Sequence, residues 1–360
     1  MPTITKIDYF PFEVPLRKPF RIATMVTSAA RGVFVRVVLD ESVVGWGEAN
    51  PLHSINGETQ ETVLAAMPVL AQAVLDQKVS EPSDAYHLMK AMMPSQIAAI
   101  SAVDMAIHDA CARSLERPLV DTFGGACHVL ESDLTIPIVD PESARIKAKE
   151  VIAAGHTLIK IKLGHGIEND VARVRAIRDE VGSEIKLRVD ANQGYDQDSA
   201  LDLLNQLDEF VIQFCEQPVP RFDLKGMAYL TQRSPIPIMA DESCFSLFDA
   251  HLLVEREACH MMNIKLSKVG GIQEAIAIAE FSAQHNIPCM MGGMVETRLG
   301  VTAAAHVAAA CPNIVFYDLD AHHEHISSPI SGDELLQNGI AVLPDGSGIG
   351  VMPIRETQEF

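Results

Sequence analysis

The sequence lacks the features that mark several large classes of protein. No uninterrupted apolar stretch reaches the roughly 18 residues that suggest a membrane-spanning helix. The N-terminus, MPTITKIDYF, has no apolar signal core, so we expect a cytoplasmic protein. Basic residues are few: 28 lysines and arginines against 48 acidic residues give a net charge of −20. Because nucleic-acid affinity depends on basic surface, a nucleic-acid partner is not expected.

The cysteines and glycines argue against two further kinds of site. Seven cysteines are an odd number, and no two are spaced as Cys-x-x-Cys. Several of them lie in apolar segments, which is typical of buried thiols rather than of disulfides or catalytic nucleophiles. No glycine-rich loop precedes a Lys-Ser or Lys-Thr pair, so a nucleotide site is not expected.

The chain divides into three stretches, which we interpret as residues 1–125, 126–320 and 321–360. In the first, β-forming segments are followed by helical periodicity, which predicts an α+β domain. Its expected strands and helices are Ile4–Val14, Arg31–Leu39, Val43–Trp46, Thr59–Leu75 and Ile97–Ser114. The polar segment 23–30 is expected to be a flexible loop. The last stretch contains one strand-like piece, Ile340–Leu343, and is expected to return to the first domain.

In the middle stretch, apolar strands alternate strictly with helical segments. The eight expected strands are Leu134–Val139, Leu158–Leu163, Glu184–Val189, Val211–Cys215, Ile236–Ala240, Met261–Leu266, Ile287–Met291 and Ile314–Tyr317. Eight strands with helices between them predict an α/β fold, a (β/α)₈ barrel rather than an open sheet.

Charged residues close successive strands of this predicted barrel. Lys162, Asp190, Glu216, Asp241 and Lys265 follow one another at intervals of 28, 26, 25 and 24 residues. Taken singly, an acidic residue after a strand is usually a helix cap or a solvated charge. Here the regular spacing brings all five to the C-terminal rim, where barrels carry their active sites. Three carboxylates there repel one another unless a cation lies between them, and oxygen ligands favour Mg²⁺ first and Mn²⁺ second.

The lysines of this set suggest acid–base chemistry. Lys160 and Lys162 are two residues apart on one strand, so they share a face, and in a barrel that face points inward. We expect the two ammonium groups to lower each other's pKa, which would make one of them a usable base. Lys265 closes a strand on the opposite side of the ring. The alternative, two lysines on an exposed edge strand, does not account for the carboxylates in step with them.

Six short motifs carry a family resemblance. They are Gly45-Trp-Gly-Glu48, Lys160-x-Lys162, Asp190-x-Asn192, Glu216-Gln-Pro, Asp241-Glu242 and Asn263-Ile-Lys265. In this order they resemble the enolase superfamily, muconate-lactonizing subgroup, from about residue 5 to the end. The resemblance implies an N-terminal capping domain over a modified barrel and one Mg²⁺ held by Asp190, Glu216 and Asp241. It also implies removal of a proton next to a carboxylate, with the metal stabilising the enolate.

Two further segments resemble the dipeptide epimerases of that subgroup. Tyr317-Asp-Leu-Asp320 has Asp318 and Asp320 where those enzymes hold the free ammonium of a dipeptide. Two carboxylates facing one way suit an ammonium group, although a surface acidic pair is the alternative. Met294-Val-Glu296-Thr-Arg-Leu-Gly300 also follows their pattern, and we count Glu296 among the expected substrate-binding residues.

One position departs from the alanyl-glutamate epimerases, which have an arginine in the capping loop after Lys-Pro-Phe. Counting from Lys18-Pro19-Phe20, that position is Met25, and Arg21 and Arg31 lie off it. We therefore expect Met25 to contact an apolar or other non-acidic second residue of the substrate. The His322-His323-Glu324-His325 run resembles a metal cluster, but we interpret it as a rim loop that lines the pocket.

Our hypothesis is a Mg²⁺-dependent dipeptide epimerase, an isomerase that inverts the α-carbon of the second residue of an L,L-dipeptide. Lys162 and Lys265 would be the two bases, Lys160 would assist, and the protein would form a homo-oligomer. Within the enzymes, N-acylamino-acid racemase and o-succinylbenzoate synthase remain alternatives that need no ammonium site. Muconate cycloisomerisation is disfavoured, because that reaction would leave the predicted ammonium-binding pair without a role. A catalytically silent metal-binding or interaction protein is disfavoured because every expected charged position is present.

Overall fold

The computed structural model describes residues 2–79, 81–125 and 129–354. Its N-terminal part is a three-stranded antiparallel sheet, ordered β1-β2-β3, with three helices packed on it. These elements are β1 Ile4–Arg21, β2 Val26–Leu39, β3 Val43–Ala49, α1 Gln60–Val74, α2 Pro82–Met92 and α3 Ile97–Ser114. Helix α3 lies directly on β3: a Cβ at Gly45 would lie 2.2 Å from the Ala106 carbonyl oxygen, so glycine is required there.

The first two strands form one long hairpin, and this corrects the flexible loop expected at 23–30. Val26 pairs with Arg21 and Thr27 with Phe20, so residues 26–30 belong to β2 and the turn is confined to 22–25. The polar residues suggested a loop, but one face of an antiparallel hairpin can be solvated. Helix α2 is a further difference, because the sequence pattern did not predict a helix there. The hairpin turn reaches the rim of the second domain.

Eight parallel strands form the second domain, in the order β5 to β12, and this confirms the predicted (β/α)₈ architecture. The strands are β5 Leu134–Ile136, β6 Leu158–Lys162, β7 Lys186–Asp190, β8 Ile212–Glu216, β9 Ile238–Ala240, β10 Met261–Ile264, β11 Cys289–Met291 and β12 Ile314–Tyr317. The helices are α4 Pro141–Ala153, α5 Ile167–Val181, α6 Gln197–Leu207, α7 Leu224–Arg233, α8 Leu247–Glu255, α9 Leu266–Val269, α10 Ile272–Gln284 and α11 Arg298–Ala310.

The barrel closes at a seam between its first and last strands. A single parallel bridge joins Ser132 to Tyr317, and the Asp133 amide donates to the Tyr317 carbonyl at 3.3 Å. Ser132 Oγ also accepts from the Leu319 amide at 2.8 Å. These seam contacts lie at Tyr317 and Leu319, on either side of Asp318.

The C-terminal segment contacts both domains. Its strands β13 Leu336–Gln337 and β14 Ile340–Ala341 form a small sheet with β4 Leu130–Glu131, which precedes the barrel. Farther on, the Ile349 amide donates to Asp109 of α3 at 2.6 Å. The boundaries between the three predicted stretches stay a prediction.

Buried carboxylates fasten the first domain to the barrel. Glu48, from the Gly45-Trp-Gly-Glu48 motif, accepts from the backbone amides of Thr297 and Gly300 at 2.8 and 3.1 Å, at the start of α11. Asp104 of α3 accepts from the Ile272 amide at 2.6 Å, at the start of α10. A carboxylate at a helix N-terminus satisfies free amides and interacts favourably with the helix dipole. These contacts hold the hairpin side of the first domain over the barrel rim.

Two smaller expectations concern membranes and cysteines. Among the helices of the described residues, none has the length and apolarity needed to cross a membrane. The six cysteines in the described ranges are free thiols, and Cys127 lies outside those ranges.

Candidate active site

The five charged strand ends meet at the C-terminal rim, and each carboxylate there contacts a lysine. Lys162 Nζ lies 2.6 Å from Asp190 Oδ2, and Lys265 Nζ lies 2.7 Å from Asp241 Oδ2. All four of these side chains are buried. The register of the parallel strands explains these contacts. Lys162 on β6 pairs with Asp190 on β7, and Asp190 pairs with Glu216 on β8.

Lys160 is the most enclosed lysine of the group. Its Nζ lies 2.6 Å from Glu216, 2.7 Å from Asp318 and 3.4 Å from Asp190, and the residue is 0% exposed. Burial alone would lower the pKa of Lys160, but these three carboxylates raise it well above its usual range. The mutual lowering that we expected between the two strand lysines is therefore wrong for Lys160, since the neighbouring anions outweigh one neighbouring cation.

Asp241 is held by two lysines. Besides Lys265, the Lys268 ammonium lies 2.7 Å from Asp241 Oδ1 and donates to the Asn263 carbonyl at 2.8 Å. Burial would raise the pKa of Asp241, yet Lys265 and Lys268 together hold it well below its usual range. Glu216 is different: burial and the Asp190 charge raise its pKa to about 7, against the effect of Lys160.

The chemistry of Asp190, Glu216 and Asp241 fits a hard divalent cation, because all three are buried carboxylates at adjoining strand ends. Further buried oxygens nearby, Asn263 Oδ1 and Glu242 Oε2, have no hydrogen-bond partner among the described residues. The lysine ammonium groups lie between the carboxylates and keep their oxygens apart. Within the described chain, the one acidic group whose ligand atoms all lie within 4.8 Å of one another is instead Asp133, Asp318 and Asp320.

The loops after two of these strands have unusual backbone conformations. Asn192 and Gln217 have φ angles of 40° and 36°, in the left-handed region that side-chain-bearing residues rarely adopt. Gln217 is tied down by its side chain, whose Oε1 accepts from the Asp241 and Ser243 amides at 2.9 and 3.1 Å. This hydrogen bonding orients the neighbouring carboxylates, Glu216 and Asp241.

A cavity of about 50 Å³ lies between the two candidate bases and the hairpin. Lys162 and Lys265 both line it, and their strands β6 and β10 are four apart in an eight-stranded barrel, so the two ammonium groups approach from opposite sides. The other wall is largely apolar and includes Phe20, Ile22 and Met25 of the hairpin. Met25 is thus part of the cavity wall, and its contact with the second residue of a substrate stays a prediction.

A second cavity of similar size adjoins the first and contains the aspartate pair. Asp318, Asp320, Thr135 and Lys162 line it, and the rim residues His323 and Glu324 do so as well. Asp320 Oδ2 accepts from the Thr135 amide at 2.6 Å. Burial and the Asp318 charge raise the pKa of Asp320 to about 7. The two cavities together form one pocket with lysines at one end and carboxylates at the other.

Family comparison identifies this arrangement. Residues 143–357 match the model described as enolase C-terminal domain-like, and residues 5–124 match the mandelate racemase / muconate lactonizing enzyme N-terminal domain. The chain belongs to the enolase superfamily. This confirms the resemblance that the six motifs suggested.

Individual relatives within the enolase superfamily are similar over nearly their whole length. The chain is 35% identical to the D-Ala-D/L-Ala epimerase of Cytophaga hutchinsonii, over 96% of this chain and 95% of that one. It is 37% identical to the hydrophobic dipeptide epimerase of Enterococcus faecalis, over 94% and 96%. The crystal structure of a dipeptide epimerase from Enterococcus faecalis V583 with Mg and L-Leu-L-Tyr superposes with a TM-score of 0.94, at 36% identity, covering 97% and 99%.

Several predicted site residues line neither of the two cavities: Lys160, Asp190, Glu216, Asp241 and Glu296. Glu296 is buried, and its Oε2 accepts from the Met294 amide at 2.5 Å; it lines neither cavity described above. Burial raises its pKa to about 7. In the histidine run, His325 is buried and His322 Nε2 lies 3.6 Å from Glu334, while His323 and Glu324 reach the pocket.

Sequence reasoning missed several residues of the site. Asp133 lies outside the strand-end pattern, Gln217 was named only as part of the Glu216-Gln-Pro motif and without a role, and Arg188 lies two residues before Asp190 on the same inward face. The period of two along β7 could have indicated Arg188. No signal in the sequence could have indicated Asp133, because its partners are 55 and more than 180 residues away.

Proposed function

We propose that this protein is a Mg²⁺-dependent dipeptide epimerase that inverts the α-carbon of the second residue of an L,L-dipeptide. One observation carries the proposal: two buried lysines reach one cavity from opposite sides, next to a cavity containing two aspartates. Epimerisation needs a base on each face of the reacting carbon, and a free dipeptide carries an ammonium group a few bonds away. The relatives named above are epimerases, which are isomerases, and this supports the same class here.

In this proposal, Asp190, Glu216 and Asp241 hold Mg²⁺, and Mn²⁺ is the second choice. When bound, the ion would offset the negative charge that develops on the substrate carboxylate as the α-proton leaves. Lys162 removes the α-proton from one face and Lys265 returns one from the other. Lys160 stays charged among three carboxylates and limits their repulsion. Positioned bases of this kind contribute on the order of 10²–10⁴-fold to a rate.

The substrate preference follows from the two ends of the pocket. Asp318 and Asp320 bind the α-ammonium, and each charge-assisted contact is worth roughly 2–5 kcal/mol when one partner is removed. The apolar wall of Phe20, Ile22 and Met25 receives the second side chain, so apolar second residues are preferred over glutamate. The hydrophobic dipeptide epimerase of Enterococcus faecalis is a relative with a name of this kind. A cytoplasmic homo-oligomer remains part of the proposal.

The deciding experiment compares free with N-acetylated dipeptides. Purified protein with Mg²⁺ is incubated in D₂O with L-alanyl-L-leucine, L-alanyl-L-glutamate and the N-acetylated form of each. Proton NMR then follows α-proton exchange and the D-epimer. We expect exchange at the second residue of free L-alanyl-L-leucine, slower exchange of the glutamate peptide and little exchange of the acetylated forms. Equal turnover of free and acetylated peptides would instead favour an N-acylamino-acid racemase.

A further inference from the structure

Asp133 is a buried carboxylate at the barrel seam that the proposed reaction does not yet use. It directly precedes β5 and is 0% exposed. Its amide donates to the Tyr317 carbonyl at 3.3 Å, and Tyr317 directly precedes Asp318. The position of Asp133 is therefore tied to the segment that carries the Asp318–Asp320 pair.

Only one oxygen of Asp133 is accounted for. Oδ2 accepts from Arg188 Nη1 at 2.7 Å, and that guanidinium packs against the edge-to-face pair Phe214 and Phe316, 5.2 Å from each ring centre. Oδ1 is buried and has no hydrogen-bond partner among the described residues. Leaving a carboxylate oxygen buried and unpartnered is costly, on the order of 1–3 kcal/mol or more for a charged group. A donor brought to this oxygen would remove that cost.

Asp133 belongs to an acidic cluster with Asp318 and Asp320, the two aspartates that line the end of the pocket. Asp133, Asp318 and Asp320 each offer an oxygen within 4.8 Å of the others. Burial and the charges of Asp318 and Asp320 raise the pKa of Asp133, despite Arg188. A cation between the three carboxylates would reverse that repulsion.

The charge and the number of acceptors indicate which cation fits. Lys160 already contacts Asp318, and Arg188 already contacts Asp133, whereas among the described residues no salt bridge reaches Asp320. Asp318 and Asp133 each have a cationic partner, although Asp318 shares Lys160 with Glu216 and Asp190, and one added monovalent cation would suit the carboxylate that has none. A primary ammonium has three N–H donors, which matches three carboxylates. The adjoining cavity, which Lys162 also lines, connects this cluster to the reaction centre.

We propose that Asp133 provides the third carboxylate for the substrate's α-ammonium group and holds the Asp318–Asp320 segment from the seam. This inference rests on the proposed dipeptide function. It makes Asp133 a residue for substrate binding, away from the proton transfer between the two lysines. It also gives the site a selectivity for primary amines over N-alkylated ones.

The first experiment uses Asp133→Asn, which keeps the shape and the acceptor for Arg188 but removes the charge. With L-alanyl-L-leucine and saturating Mg²⁺, we expect KM and the calorimetric Kd to rise about tenfold or more, with a smaller change in kcat. A lost charge-assisted hydrogen bond of about 1.5–3 kcal/mol corresponds to that factor. Ser132→Ala is the matched control, since it removes a seam hydrogen bond without a charge change. Unchanged KM and Kd in Asp133→Asn, or an equal rise in Ser132→Ala, would overturn the inference.

The second experiment needs no variant and so does not depend on how Asp133→Asn folds. Calorimetry compares the wild-type affinity for L-alanyl-L-leucine and its N-methyl and N,N-dimethyl forms, which keep the charge but have two and one N–H donors. We expect Kd to rise about tenfold with each donor removed. Equal affinities would contradict a three-acceptor site. Wild-type protein that neither binds nor exchanges any free dipeptide would refute the proposed function itself, so the two failures are distinguishable.

Discussion

The two acidic clusters at the barrel rim differ in how their charge is balanced. Asp190, Glu216 and Asp241 lie among four lysine ammonium groups, and each of these carboxylates contacts at least one of them. In the second cluster, Asp318 contacts Lys160, which also contacts the first cluster, and Asp133 contacts Arg188, while no salt bridge reaches Asp320 in the described contacts. Carboxylates that are buried to a similar degree thus differ in how many cationic partners they have. The first cluster is surrounded by buried lysines, whereas in the second cluster one carboxylate has no cationic partner among the described residues.

This difference assigns a separate task to each end of the pocket. Lys162 and Lys265 contact the first cluster and also line the cavity between the candidate bases, where an ammonium or amine group can donate or accept a proton. The second cluster is braced by Arg188, whose guanidinium packs against two aromatic rings that contact each other. A fixed, incompletely neutralised site is suited to binding rather than to proton transfer. The predictions below test this division.

The largest expected effect is loss of activity on metal removal. Chelation should abolish α-proton exchange, and added Mg²⁺ should restore it. Mg²⁺ should also raise the Tm, because a ligand at about 100 times its Kd stabilises by about 2.7 kcal/mol. We expect this rise in Asp320→Asn but not in Asp190→Asn, measured by differential scanning calorimetry. A rise in Tm in Asp190→Asn but not in Asp320→Asn would instead assign the metal to the second cluster, and would contradict the difference between the two clusters.

Removing either base should have the next largest effect. Lys162→Ala and Lys265→Ala should each lower epimerisation by about 10²–10⁴-fold, because general bases contribute that much. In D₂O, each variant should still exchange the α-proton of the one isomer that faces its remaining lysine. Lys186→Ala, at an exposed lysine on β7, is the control. Normal epimerisation by Lys265→Ala would require a one-base mechanism.

Met25→Arg should change specificity more than overall activity. An arginine at the hairpin turn would add a charge-assisted contact to a second-residue carboxylate, worth about 1.5–3 kcal/mol. We expect kcat/KM for L-alanyl-L-glutamate to rise at least tenfold relative to L-alanyl-L-leucine. Met25→Leu, an apolar change of similar volume, should leave the ratio nearly unchanged. If Met25→Arg also leaves the ratio unchanged, Met25 does not contact the second side chain.

The smallest effect concerns stability at a buried carboxylate with no lysine beside it in the described contacts. Burial raises the pKa of Asp104 to about 7, above the value of about 3.9 in an unfolded chain. The folded state therefore binds more protons between about pH 4 and 7, and the free energy of unfolding should fall as pH rises through that window. Asp104→Asn should make this fall smaller, because it removes one of several buried carboxyls whose pKa is raised, measured by urea unfolding at several pH values. Parallel profiles for the two proteins would mean that burial does not govern this carboxylate.

The sequence by itself determined the barrel and the candidate catalytic set. The spacing of the charged strand ends predicted that they meet at one rim, because parallel strands end on the same side of the barrel. These residues are Lys162, Asp190, Glu216, Asp241 and Lys265. Local apolar patterning was sufficient for all eight strands, although their bounds shifted by a few residues. Such features depend on residues close together in the chain.

Only the tertiary structure decided how those charges are balanced. Lys160 is surrounded by carboxylates from three other strand ends, so its pKa is raised although its nearest neighbour in sequence on that face is another lysine. Likewise, residues 26–30 look polar and loop-like, yet pairing with β1 makes them a strand that brings Met25 to the pocket. Asp133 joins Asp318 and Asp320 only because the barrel closes at its seam. Electrostatic interactions depend on distances in space, and these arise only when distant segments pack together.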